Sequence, residues 1–118
     1  MQIRGSQIDA CSRARFEAFV RRMSDMLAAK FPDWCASETL DAAARDKLVR
    51  EAVQQAGLYS VEREADLELY IQCLPLLSRT FDRDANFPWA GEILNRPDLD
   101  GARKMDLIHD HLVFSLSK

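Results

Sequence analysis

Apolar residues recur every three or four positions along most of this chain, and that spacing leaves little room for anything but helices. Ile8, Cys11, Phe16, Phe19, Val20, Met23, Met26 and Leu27 form one such stripe, with Arg13, Glu17, Arg21, Arg22, Asp25 and Lys30 between them. Three- and four-residue steps place the apolar set on a single helix face and the charged set on the other. Ser6 reads as an N-cap, and Pro32 disfavours helical geometry at Phe31, so the first helix is predicted over 6–30. The 4 Gly and 4 Pro among 118 residues are too few for a strand-and-turn architecture. The predicted fold is all-α: one helical domain over 1–118, a compact bundle of about five helices with a long N-terminal helix.

Residues 32–38 read as a loop carrying Trp34 and Cys35. A second helix places Leu40, Ala44, Leu48, Val49, Ala52, Val53 and Ala56 on one face, and Gly57 stands where a left-handed terminal residue belongs. Ser60 is predicted to cap a third helix, with Glu62 and Glu64 in its first turns. Ala65, Leu67, Leu69, Tyr70, Ile71 and Leu74 are too densely apolar for a one-sided helix, which makes this the central buried element. Pro75 predicts a kink or restart, with helix continuing to about Arg79. Pro88 suits the first position of a short helix holding Trp89, Ala90, Ile93 and Leu94, which Pro97 ends. Asp100 begins the last helix, whose face includes Met105, Ile108, Leu112 and either Leu116 or Phe114.

Charge excludes one class of function. The net charge is −3; residues 1–59 carry 9 Lys+Arg against 8 Asp+Glu, and residues 60–118 carry 7 against 11. A nucleic-acid-binding domain needs a basic footprint, and none is visible. The N-terminus lacks the apolar region of a signal peptide and no run approaches the length of a membrane span, so a cytoplasmic protein is expected. Cys11, Cys35 and Cys73 show no C-x-x-C and lie among apolar neighbours, which predicts buried free thiols.

Catalytic and metal-binding constellations fail on their own terms. Asp82-Arg-Asp-Ala-Asn86 opens like a calcium loop, but Phe87 and Ile93 stand where that loop needs Gly and a bidentate Glu. Turn capping by these side chains is the better account. His109 and His111 are two apart, so on a helix they point about 200° apart and cannot chelate one ion together. Glu62, Glu64, Asp66 and Glu68 diverge likewise, and read as a wet helix face. No nucleophile elbow, phosphate loop or dinucleotide fingerprint occurs. No catalytic residue, metal or cofactor is assigned, and a non-enzymatic role is expected.

Residues 81–90 hold three aromatics, two acids and a proline with no helical period. Aromatics on a rigid loop make good interface anchors, so Phe81, Asp82, Phe87 and Trp89 are the candidate partner-binding residues. The competing reading is that Phe81, Phe87 and Trp89 plug the end of the bundle.

In chain order, Ile3-Arg4, Gln7, Phe16 to Phe31-Pro32, Gly57, Asp66-Leu67 to Tyr70, Phe81-Asp82, Pro88-Trp89-Ala90, Ile93-Leu94 and Lys104-Met105 form a pattern. It resembles a group of small bacterial helical proteins encoded beside toxin effectors of the type VI secretion system or other polymorphic toxins. The likeness spans nearly the whole chain, is strongest over Phe81–Ala90, and includes no catalytic signature. Members of that group favour glycine about where Ser78 stands, and Pro75 interrupts the helix before it. The resemblance implies a chaperone or adaptor that binds a secreted toxin effector, or an immunity protein that neutralises a cognate toxin. The expected partner is therefore a protein, with neither nucleic acid nor membrane, and the long first helix gives a surface on which a dimer can form.

Overall fold

A computed structural model describes residues 10–116, with side chains from Arg13 to Phe114. Among the described residues there is no strand, and six helices follow one another: α1 (Ala10–Lys30), α2 (Pro32–Ser37), α3 (Ala42–Gly57), α4 (Glu64–Leu76), α5 (Pro88–Leu94) and α6 (Gly101–Leu116). The all-α bundle is thus as expected, with one helix more. The extra element is α2, where a loop was predicted. Pro32 opens it as the first helical residue, and its six residues turn Cys35 into the core. The expected start of α1 near Ser6, like Ile8 and Cys11 on its stripe, lies outside the residues whose side chains are described.

The described residues measure 21 Å along their shortest axis, about two helix diameters. α1 packs on α3 and α2, and α5 on α6, while α4 is central and packs on α1, α3 and α6. Its dense apolar sequence explains the position, since Leu67, Tyr70, Ile71, Cys73 and Leu74 are all buried and leave almost no wet face. One continuous core joins Phe19, Val20, Met23 and Leu27 of α1 to Leu48, Val49 and Val53 of α3, and to Met105, Ile108 and Leu112 of α6. Among the described residues no helix is long and apolar enough to cross a membrane.

The helix ends depart from expectation in ways that matter for packing. Gly57 has no positive φ; the left-handed residue is Ser60, φ 64°, three positions later. The Val61 N–H there donates to the Ala56 carbonyl at 3.0 Å, the six-to-one bond of a Schellman-type ending. That reversal drops Val61 into the core, so Ser60 does not cap α4, which begins at Glu64 after Arg63. Thr39, φ 57°, plays the same part after α2, with the Leu40 N–H donating to the Cys35 carbonyl at 2.8 Å. Asp66 does not join a wet face either: it is buried. Pro75 lies in the last turn of α4, and the helix stops at Leu76 instead of continuing to Arg79. Lacking an N–H, Pro75 leaves the ladder one bond short, and Leu77 closes it with a last 2.8 Å bond to the Cys73 carbonyl.

Two glycines set how closely α5 and α6 approach the rest. A Cβ on Gly101 would lie 2.2 Å from the Ser60 carbonyl oxygen, and one on Gly91 would lie 2.8 Å from the Asp82 carbonyl oxygen. Asp100 does cap α6, accepting the Arg103 N–H at 2.8 Å. One turn further, the buried Lys104 donates from Nζ to the Tyr59 carbonyl at 2.8 Å. The start of α6 is thereby fixed against the 59–61 turn, which places the rest of α6 alongside α4.

Candidate functional site

The segment singled out by sequence does not present its aromatics together. Phe81 is fully buried, its ring tilted 58° against Tyr70 with centroids 4.9 Å apart. Phe87 is half-buried and precedes α5. Trp89 is half-buried and lies flat on His111, centroids 3.8 Å apart at 15°. His111 is thus not a solvated outer-face residue; its ring covers the indole and joins α6 to α5. Phe81 plugs the bundle, and an interface anchored on all three rings would require the core to open.

Asp82 is also inside, and its carboxylate joins two distant parts of the chain. Oδ2 accepts from the Tyr59 hydroxyl at 2.7 Å, from Gln55 Nε2 at 2.9 Å and from Arg83 Nη1 at 2.9 Å. Burial and this carboxylate both raise the Tyr59 hydroxyl above its ordinary pKa, so it stays a donor. Asp84 points elsewhere, accepting from Ser78 Oγ and from the Asn86 N–H, each at 2.9 Å. The bond from Asn86 and that from Ser78 hold its pKa below the usual carboxylate range. The calcium-loop pattern is therefore a turn whose carboxylates serve the backbone and α3. Among the described residues no group of three His, Cys, Asp or Glu side chains is placed to hold a metal ion.

Beside Asp82 lies a polar cleft of about 240 Å³, walled by Leu48, Ala52 and Leu74 and rimmed by Glu51, Arg79, Thr80 and Arg83. Tyr70 closes its floor. Burial, with Asp82 nearby, pushes the Tyr70 phenol far above its ordinary range, so it cannot serve as a base.

A second concavity has the opposite character. Between α4 and α6 runs an apolar groove of about 100 Å³, formed by Leu69, Gln72, Cys73 and Leu76 on one side and Met105, Ile108, His109, Leu112 and Val113 on the other. Its lip is exposed: Leu76 is 40% and Val113 53% accessible, and Phe114 beyond it 64%. These three account for most of the large apolar residues left exposed; the other is Leu58. Solvated apolar side chains concentrated on one concavity are the usual mark of a contact surface. Neither Leu76 nor Val113 stands out in the sequence, where the helix is expected to continue past Leu76 and the apolar face of α6 to lie at Met105, Ile108 and Leu112. α4 ends at Leu76, one residue after Pro75, and both Leu76 and Val113 are exposed there.

The groove also brings a cysteine and a histidine to one site, a juxtaposition that linear spacing did not reveal. A nucleophilic cysteine must be held as thiolate by a nearby positive group. Here burial alone acts on Cys73 and pushes its thiol up to about 12. His109 makes no hydrogen bond to it, and the thiol stays protonated at neutral pH. Cys35 is likewise a free, buried thiol, donating at 3.5 Å to the Leu27 carbonyl. Cys11 lies outside the described side chains.

On α4, Glu68 stands one residue before Leu69 and one turn before Gln72. On α6, Asp106 and Asp110 lie one turn apart, and Asp110 is three residues before Val113. Asp106 faces the start of α4 closely enough to raise the pKa of Asp66, though burial is the larger cause there. Among the described residues Glu68, Asp106 and Asp110 have no ion-pair partner.

No protein-family model, curated protein or solved structure matches the chain. The likeness to toxin-associated accessory proteins accordingly rests on the residue pattern described above.

Proposed function

We propose that the protein is a non-enzymatic, protein-binding accessory factor that receives an apolar segment of its partner in the α4–α6 groove. The observation that carries this reading is the exposure of Leu76 and Val113 on a groove whose floor is already core. Covering such a lip removes apolar surface from water at roughly 25 cal/mol per Å². The groove is the length of two to three helical turns, which suits a helix laid along it. The expected docking residues therefore move from the Phe81–Trp89 segment to α4 and α6. Asp82, Phe87 and Trp89 act at a distance, by holding α5 and the 80s turn in place.

The partner class follows from the resemblance: a secreted toxin effector of a type VI secretion system, which the protein holds as a chaperone or adaptor in the cytoplasm. The bare apolar groove supports this, because a chaperone shields apolar segments before export. An immunity protein is the second reading, favoured by the acidity of residues 60–118. Co-expression separates them. A chaperone raises the soluble yield of a catalytically dead effector encoded beside it, and Leu76→Asp with Val113→Asp abolishes that rise. An immunity protein instead suppresses the toxicity of the active toxin at one-to-one stoichiometry. Absence of both effects, with no co-purification, contradicts the proposal.

A further inference from the structure

The polar cleft beside Asp82 uses Tyr70 and Leu74 of α4, none of the α4 residues that line the apolar groove, so its occupant is independent of the docking proposal. Its α3 lining, Leu48, Glu51, Ala52 and Gln55, steps by three and four and so belongs to one helix face. The turn after α4 adds Arg79, Thr80 and Arg83. Arg83 meets Asp82 at 2.9 Å, so those two charges offset each other. Arg79 holds Glu38 only at 3.5 Å, the longest of the described ion pairs. Glu51 has no ion-pair partner among the described residues. One loosely held cation and one unpaired anion therefore line a single cavity without meeting.

The cleft also holds a donor without an acceptor. Tyr70 is 1% exposed, yet its hydroxyl makes no hydrogen bond among the described residues. That hydroxyl is not sealed in, because the only fully buried side-chain oxygen left unpartnered among the described residues is Asp66 Oδ2. It opens on the cleft that Tyr70 lines, near enough to Asp82 and Arg83 for both charges to act on it. Burial keeps it protonated, so it has a hydrogen to give and needs an acceptor.

We infer that this cleft binds a small zwitterion, an α-amino acid with an aliphatic side chain. Its carboxylate accepts from the Tyr70 hydroxyl and pairs with Arg79, whose planar guanidinium suits two oxygens. Its ammonium pairs with Glu51, and its side chain lies on Leu48, Ala52 and Leu74. The volume of about 240 Å³ has room for roughly eight waters, hence for a ligand of about eight or nine non-hydrogen atoms. A simple anion would be repelled by Glu51 and a simple cation by Arg79. Only opposite charges on one molecule satisfy both.

The test titrates the full chain by calorimetry at neutral pH with leucine, isoleucine, valine and methionine. The deamino and decarboxylated analogues of the tightest binder follow. At least one amino acid is expected to bind saturably at one site, and each analogue about three-fold or more weakly, having lost one charged contact. Glu51→Gln should weaken the amino acid by about three-fold and leave the deamino analogue unchanged; Arg79→Gln should weaken it likewise and spare the decarboxylated analogue. Tyr70→Phe keeps the ring against Phe81 and removes no bond within the chain. It should hold the free protein's Tm within about 2 °C of the parent and weaken ligand binding about ten-fold. A larger Tm loss would show the hydroxyl to be partnered inside the fold and would overturn the inference. Saturable binding by none of the four amino acids, an analogue as tight as its parent, or binding untouched by all three variants overturns it as well. None of these results bears on the α4–α6 groove.

Discussion

Gly101→Ala should destabilise the protein severely, although the change adds one methyl group to a helix that intrinsically prefers alanine. The new Cβ would lie 2.2 Å from the Ser60 carbonyl oxygen and 3.0 Å from both the Ser60 carbonyl carbon and Val61 Cα. All three are backbone atoms, so no rotamer change relieves the contact, and α6 must retreat by about 1 Å. Overpacking of this kind costs about 1–3 kcal/mol. The retreat also stretches the 2.8 Å bond from Lys104 Nζ to the Tyr59 carbonyl, which leaves a buried ammonium underbonded at a further cost of about 1–3 kcal/mol. Alanine's helix preference returns about 1 kcal/mol, for a net loss near 3 kcal/mol. For a domain of this size that lowers Tm by about 12 °C or more. Gly57→Ala is the matched control. It has no atom within 4 Å of its would-be Cβ and no positive φ, so it should stabilise by about 0.5 kcal/mol. Urea titration followed at 222 nm and calorimetry measure both. A Gly101→Ala protein as stable as its parent would refute the close approach of α6 to the 59–61 turn, and with it the alignment that forms the groove.

The remaining predictions address single contacts. Thr39→Gly should stabilise by about 1 kcal/mol, because a β-branched residue at φ 57° gives up that much to glycine; a lower urea midpoint would show the left-handed ending of α2 to be wrong. Asp82→Ala should cost about 2–4 kcal/mol from the bonds of Tyr59 and Gln55, with little from the largely exposed Arg83. A loss under 0.5 kcal/mol would mean that the 80s turn is held by Phe81 alone. Asp66 carries an unpartnered Oδ2, and burial raises its pKa above the usual carboxylate range. Its contribution to stability is fully present below the unfolded carboxylate pKa and is lost as pH rises through the raised folded value. Asp66→Asn should therefore gain about 1 kcal/mol over the parent at pH 7, less what the helix N-terminus returns to a negative charge, and nothing at pH 3. An advantage that grows on acidification would contradict the burial of this group.

The helices were legible because apolar spacing is a local property, and the strongest stripes, in α1, α3 and α4, are those whose residues the structure buries. Their ends were less so. Ser60 carries the left-handed reversal that Gly57 appeared suited to, because the position is decided by where Val61 must enter the core and by the need of Lys104 for the Tyr59 carbonyl. Those are contacts between residues as many as 45 positions apart, which no window sees. Phe81 shows the same limit. An aromatic outside any helical period is equally consistent with an anchor and with a plug, and only the Tyr70 ring against it decides for the plug. The groove was the least legible feature. Leu76 was expected to continue the helix and Val113 lay off the expected face of α6, and both are exposed where α4 ends at Leu76.

Hydrogen exchange on the protein bound to its partner tests the docking face most directly. Slowed exchange confined to residues 69–76 of α4 and 105–113 of α6, with 80–89 unchanged from the free chain, is the predicted footprint. Protection centred on 80–89, or spread over α1 with the α4–α6 groove still exchanging freely, would contradict it.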